Sequence, residues 1–122
     1  MAQWHSISKR KPSGGIRKRA RKKKKYERGR DYIPVKIDKP KLKRIRVRGG
    51  NYKIRLLSTN YVVVNGEKLK ILGVEHNPAN RQFARFNIIT KGAILKTEKG
   101  LVRVTSRPGQ HGVVQGVFVE KN

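Results

Sequence analysis

Between Lys9 and Arg30 the chain reads KRKPSGGIRKRARKKKKYERGR, and Glu27 is the only acid in the run. Cations at this density cannot share a dry interior, because an unpaired charge in low dielectric costs far more than packing returns. The run must lie in water or against a polyanion. Any hydrophobic core has to come from the rest of the 122 residues, which by length form one domain.

The formal net charge of +25 is unevenly placed. Residues 1–55 hold 22 Lys and Arg against Glu27, Asp31 and Asp38, a net +19, whereas residues 56–122 hold 10 against 4 acids, a net +6. The asymmetry predicts a basic N-terminal arm with its connector over residues 1–42, disordered when free, joined to a folded domain over residues 43–122. Self-repulsion of this size favours a polyanionic partner, nucleic acid first and an anionic membrane second. Cysteine is absent, which removes disulfides and thiolate metal sites and fits a reducing compartment. No apolar run approaches the roughly 18 residues of a membrane span, and no apolar stretch follows the first charges as in a secretion signal. A cytoplasmic protein without membrane contact is expected.

Within the arm, Pro12 and Ser13-Gly14-Gly15 break any helix, so this part is expected to be extended or irregular. From Ile16 to Arg28 helix propensity is opposed by like charges at i, i+4 until phosphates screen them, which predicts order on binding. Trp4 and His5 stand just ahead of the arm. Trp4 has two readings: its ring stacks on an unpaired base, or it packs on the barrel or on nothing.

From Lys43 onward apolar and polar residues alternate, the period-2 signal of strands. Ile45 and Val47 alternate with Arg44, Arg46 and Arg48, and after Gly49-Gly50-Asn51 the residues Tyr52, Ile54 and Leu56 alternate with Lys53 and Arg55. This predicts a hairpin with a basic outer face. Tyr61–Val64 and Glu67–Val74 flank Asn65-Gly66, the pair most favoured in a two-residue type I′ turn. Asn77-Pro78 reads as the N-cap and first residue of a short helix that places Arg81 and Arg85 on one face. Further strands are expected at Ile88–Thr90, Ala93–Thr97, Leu101–Ser106 and Val113–Glu120, with turns at Lys91-Gly92, Lys99-Gly100 and Arg107–Gly112, and a short strand at Val35–Ile37 in the connector. The expected fold is mainly β, a small antiparallel closed or nearly closed barrel of about six strands with one short helix.

Chemistry has little to work with. Glu67, Glu75, Glu98 and Glu120 form no carboxylate pair, and His5, His76 and His111 lack ligand spacing. No glycine-rich phosphate loop occurs. No catalysis, cofactor, metal or small-molecule substrate is expected.

Taken together, Trp4-His5, Arg10-Lys11-Pro12-Ser13-Gly14-Gly15 and Lys23-Lys24-Lys25-Tyr26-Glu27-Arg28-Gly29-Arg30 resemble the S8e family of small-subunit ribosomal proteins. So do Arg46-Val47-Arg48-Gly49-Gly50-Asn51, Asn77-Pro78-Ala79-Asn80-Arg81, Ile88-Ile89-Thr90-Lys91-Gly92-Ala93-Ile94 and Thr105-Ser106-Arg107-Pro108-Gly109-Gln110, in order along nearly the whole chain. Arg28 departs from the pattern, standing where an apolar residue, often Leu, is expected. The long insertion of eukaryotic members is missing, so the chain resembles the compact archaeal form. The resemblance implies a β-barrel body, incorporation into the small ribosomal subunit beside neighbouring ribosomal proteins, and direct contact with small-subunit ribosomal RNA. A monomer outside the ribosome is expected.

The RNA-binding residues expected on the arm are Trp4, His5, Lys9, Arg10, Lys11, Arg17, Lys18, Arg19, Arg21, Lys22, Lys23, Lys24, Lys25, Arg28 and Arg30. On the body they are Arg44, Arg46, Arg48, Arg81, Arg85, Lys91 and Arg107. Arginines suit bidentate phosphate contacts, whereas the Lys22–Lys25 run acts as mobile point charges. Fully extended at about 3.3 Å per residue, the stretch of about 22 residues from Lys9 to Arg30 spans roughly 70 Å. A DNA-compacting, chromatin-type protein is the rival reading, because arm electrostatics serve either polymer equally.

Overall fold

A computed structural model describes residues 3–120. The chain divides into two compact units, one ending at Tyr32 and the other starting at Ile33.

In the second unit the elements run β1 (Lys36–Ile37), β2 (Lys41–Arg46), β3 (Tyr52–Thr59), β4 (Tyr61–Val64), β5 (Glu67–His76), α1 (Arg81–Arg85), β6 (Ile94–Thr97), β7 (Gly100–Val104), α2 (Pro108–His111) and β8 (Gly116–Phe118). The fold is mainly β, as the alternation predicts. Five antiparallel strands in the order β4-β5-β6-β7-β8 form one sheet, and β1-β3-β2 form a second of three. The larger sheet nearly closes on itself. Val63 N–H of β4 donates to Val114 O at 2.9 Å, and Val63 bridges Gln115 just ahead of β8. Strand β5 serves two neighbours in turn, pairing β4 through Lys70 and β6 from Ile71 onward, with register shifts at Ile71/Gly73 and Val74/His76. Such bulges bend a strand and turn a barrel corner.

Period-2 patterning fills the interior. Val62 and Val64, Leu69 and Ile71, and Val102 and Val104 all point inward and are almost fully buried, with Leu95, Ala93, Ile89 and Val114 between them. Val35 and Leu56 join the same core. Each such Val, Leu or Ile side chain contributes about 1.5–3 kcal/mol on removal from water. The β4–β5 hairpin turns at Asn65 and Gly66 with φ of 49° and 85°, the left-handed pair that a type I′ turn requires.

Four local expectations are corrected. Asn77 does not cap the helix. It is 1% exposed; its Nδ2 donates to Ile88 O, and its Oδ1 accepts from Ala79 N–H and Thr90 Oγ1–H. The N-cap is Asn80, whose side chain accepts from Gln82 N–H at 2.9 Å. Ile88–Thr90 is no strand but a buried link, with Ile89 N–H donating to Val35 O at 2.9 Å. Arg107–Gly112 is more than a turn, because Pro108 at the first helical position starts the four-residue helix α2.

The β2–β3 hairpin forms but, against expectation, has no separate basic face. Its register pairs Arg44 with Ile54 and Arg46 with Tyr52, so arginines of one strand share a face with apolar residues of the other. Directly opposed residues in an antiparallel pair project to the same side. Neither face is held in the core toward the hairpin tip, where Tyr52 and Ile54 are 55% and 48% exposed.

The first unit is built differently. Outer partners pair through the Trp4–Arg28 bridge, with His5 N–H donating to Glu27 O at 2.7 Å and Gly29 N–H to Gln3 O at 2.6 Å. Inside this pair Arg10 bridges Ile16, and Arg17 N–H donates to Lys9 O at 2.9 Å around a turn at Gly14. Two nested antiparallel pairings thus fold this backbone back on itself instead of leaving it as a single extended span. No described residue of Gln3–Tyr32 is buried.

Candidate nucleic-acid interface

The arm's cations are all exposed from Lys9 to Arg30. Glu27 is the hub of their arrangement. Its carboxylate accepts from the Arg21 guanidinium and, at 3.5 Å, from Lys24 N–H, while the residue closes the short 3-10 turn Lys25–Glu27. The hydrogen bond from Arg21 holds the Glu27 carboxyl below the usual carboxylate range and raises Arg21 in return. Rings are laid among the charges: the Lys23 ammonium sits 5.1 Å from the Trp4 ring centroid, and the Arg21 guanidinium 5.7 Å from that of Tyr26. Trp4 is 39% exposed and packed by a lysine, so part of its ring remains open. Gly29 is needed by closeness of approach, since a Cβ there would lie 2.8 Å from Gln3 O and 3.0 Å from the His5 ring. His5 is thereby placed against the outer pair.

On the barrel, the expected cations separate into groups. Arg44 and Arg46 lie on β2 and Arg48 in the 3-10 turn Arg48–Gly50 that caps the hairpin. Helix α2 packs on β3, where Lys53 Nζ donates to Gln110 Oε1 at 2.9 Å, so Arg107 at the N-cap of α2 belongs to the hairpin side. Arg81 and Arg85 project from α1, which packs on β5, and Lys91 lies in the turn leading to β6. Tyr52, Lys53 and Arg55, placed on the hairpin by the alternation but not among the residues expected to bind RNA, share the same strand β3. No Asp or Glu occurs between Asp38 and Glu67, a stretch with eight Lys and Arg. Glu67 itself pairs with Lys99, which lowers its carboxyl.

Among the described residues, no group of three or more His, Cys, Asp or Glu lies close enough to hold a metal ion. Nor, among them, is any helix long and apolar enough to cross a membrane.

Fold and surface define the class: a small basic β-barrel protein preceded by a folded-back cationic segment without a core of its own. The chain belongs to the ribosomal protein S8e family, whose sequence profile matches residues 4–119. It is 52% identical over 114 residues to the small ribosomal subunit protein eS8 of Nanoarchaeum equitans, covering 88% of this chain and 90% of that one. To the eS8 proteins of Staphylothermus marinus and Methanococcus aeolicus it is 49% and 44% identical, with 99% of this chain and 100% of each relative covered.

Proposed function

We propose that the protein is a structural constituent of the small ribosomal subunit in the cytoplasm, where it binds and stabilises ribosomal RNA beside neighbouring ribosomal proteins. Membership of the S8e family supports the ribosomal role. The observation that carries the RNA contact is the arm: a run of exposed cations with no buried residue, in which Glu27 is the only acid from Lys9 to Arg30. A segment without a core holds its fold weakly, and self-repulsion opens it further. Free, it holds the folded-back pairing only loosely; on RNA, phosphates neutralise the cations and the pairing sets.

Each part of the surface has its task in this reading. Arg17, Arg19 and Arg30 offer planar forks to phosphate oxygens, whereas Lys22, Lys24 and Lys25 supply compact mobile charges. Arg81 and Arg85 on one short helix, with Lys91 and Arg107, extend phosphate contact onto the barrel. The arm supplies affinity more than specificity; RNA shape and barrel contacts supply the remainder. The protein is a monomer outside the particle.

Salt tests the mechanism. Neutralising about six to ten phosphates predicts that affinity for small-subunit RNA falls by roughly three to five decades between about 50 and 200 mM salt. A nearly flat response would exclude it. Gradient sedimentation of cell extracts places the protein with small subunits in this reading; recovery with genomic DNA alone would favour a DNA-compacting role instead.

A further inference from the structure

On the β2–β3 hairpin the Arg44 guanidinium carbon lies 3.7 Å from the centroid of the Tyr52 ring. This is stacking distance. Other cation–ring pairs are looser, at 5.0 Å for Lys68 over Tyr61, 5.1 Å for Lys23 over Trp4 and 5.7 Å for Arg21 over Tyr26. The stack follows from register: Arg44 pairs with Ile54, so Tyr52 is its diagonal neighbour on the same face.

Packing does not account for the ring. The core cluster is made of Val, Leu, Ile and Ala, and Tyr52 stays 55% exposed near the hairpin tip. Nor does charge pairing within the segment account for the arginine, since no carboxylate stands between Asp38 and Glu67. A planar cation is thus held against an open aromatic, with Arg46 opposite Tyr52 and Arg48 in the adjoining turn.

We propose that Arg44 and Tyr52 form a stacking site for one unpaired nucleobase of RNA, with Arg46 and Arg48 meeting its flanking phosphates. The proposal rests on the RNA-binding reading above and gives it a base-contacting point. Every nucleobase presents a π-face, and aromatic rings and guanidinium planes both stack on it. A guanidinium already resting on a ring surrenders less side-chain freedom when a base arrives than one waving in water. With no acid in its own sequence, the hairpin itself adds no repulsion toward the phosphates on either side of the stacked base. Paired RNA cannot use the site, because its bases are stacked on each other. The hairpin therefore distinguishes loops and bulges from continuous duplex, which the arm's charges do not.

The test compares the full-length protein, as wild type, Tyr52→Phe and Tyr52→Leu, on two small-subunit RNA fragments of equal length. One carries an unpaired loop and the other is fully paired. Tyr52→Leu should weaken loop binding about tenfold or more while leaving duplex binding within about twofold, and Tyr52→Phe should retain most of the loop affinity. Replacing loop nucleotides by abasic ones should remove the wild-type advantage at one position and add nothing to the Tyr52→Leu loss. Equal weakening on both RNAs would mark Tyr52 as merely structural and overturn the site. So would no change in RNA binding with reduced incorporation into reconstituted particles, which would make the pair a protein-docking point. Salt-dependent binding that ignores the loop and Tyr52 overturns the stacking site alone. Absence of salt-dependent binding to either RNA overturns the RNA-binding reading with it.

Discussion

Asn77 shows how much one polar side chain decides. Almost fully buried, it ties Ile88 O, Ala79 N–H and Thr90 Oγ1 together across the segment between β5 and β6. Its neighbour Pro78 makes the dipeptide look like a helix start, but a buried amide with three partners holds the ends of the segment, and Asn80 starts the helix in its place. Replacing Asn77 by Ala leaves buried donors and acceptors without partners and should cost about 2–3 kcal/mol. Urea unfolding should register this as a lower midpoint at unchanged slope. Helix α1 would remain capped, so a loss of only a few tenths of a kcal/mol would mean that the three contacts are dispensable. Asn and Pro in succession are visible in sequence; which groups the amide will meet after the chain folds is not.

At the scale of elements, Glu27 adds an ion pair with Arg21 to the backbone hydrogen bonds that hold the folded-back arm. The hydrogen bond from Arg21 lowers the Glu27 carboxyl, so its ionised form favours the folded arm. A lowered folded-state value gives stabilisation that is present above the ordinary carboxylate range and lost as pH falls through the lowered one. Trp4, the chain's only tryptophan, reports it, since it bridges Arg28 and lies under Lys23. Acidification from neutral pH to about pH 3 should shift Trp4 emission toward that of solvated indole, and Glu27→Gln should show the shifted emission already at neutral pH. An unchanged titration in Glu27→Gln would assign the transition to another group. The hairpins carry the complementary lesson. Asn65-Gly66 dictates its own turn, hence its register. Around Arg48-Gly49-Gly50 the spacing between paired strands is set by a longer connection, and alternation counted in each strand separately does not say which faces coincide.

For the whole molecule, every residue of the core cluster lies at or beyond Val35, so the barrel does not draw its interior from the arm. Removing residues 1–32 should leave the β signature in circular dichroism and its thermal transition in place while flattening the salt dependence of RNA binding. Loss of the β signature would instead make the arm part of the fold. The division of the chain into a charged run and an alternating one was legible from residues alone. Unpaired cations cannot enter a low-dielectric core, and a period of two has one physical meaning in a half-buried strand. Barrel closure through Val63, the pairing of β5 with two partners, the common face of Arg44 and Tyr52, and the placing of Trp4 against Arg28 depend on residues distant in sequence. Those contacts exist only once loop lengths and bulges set the register, and no local preference encodes them.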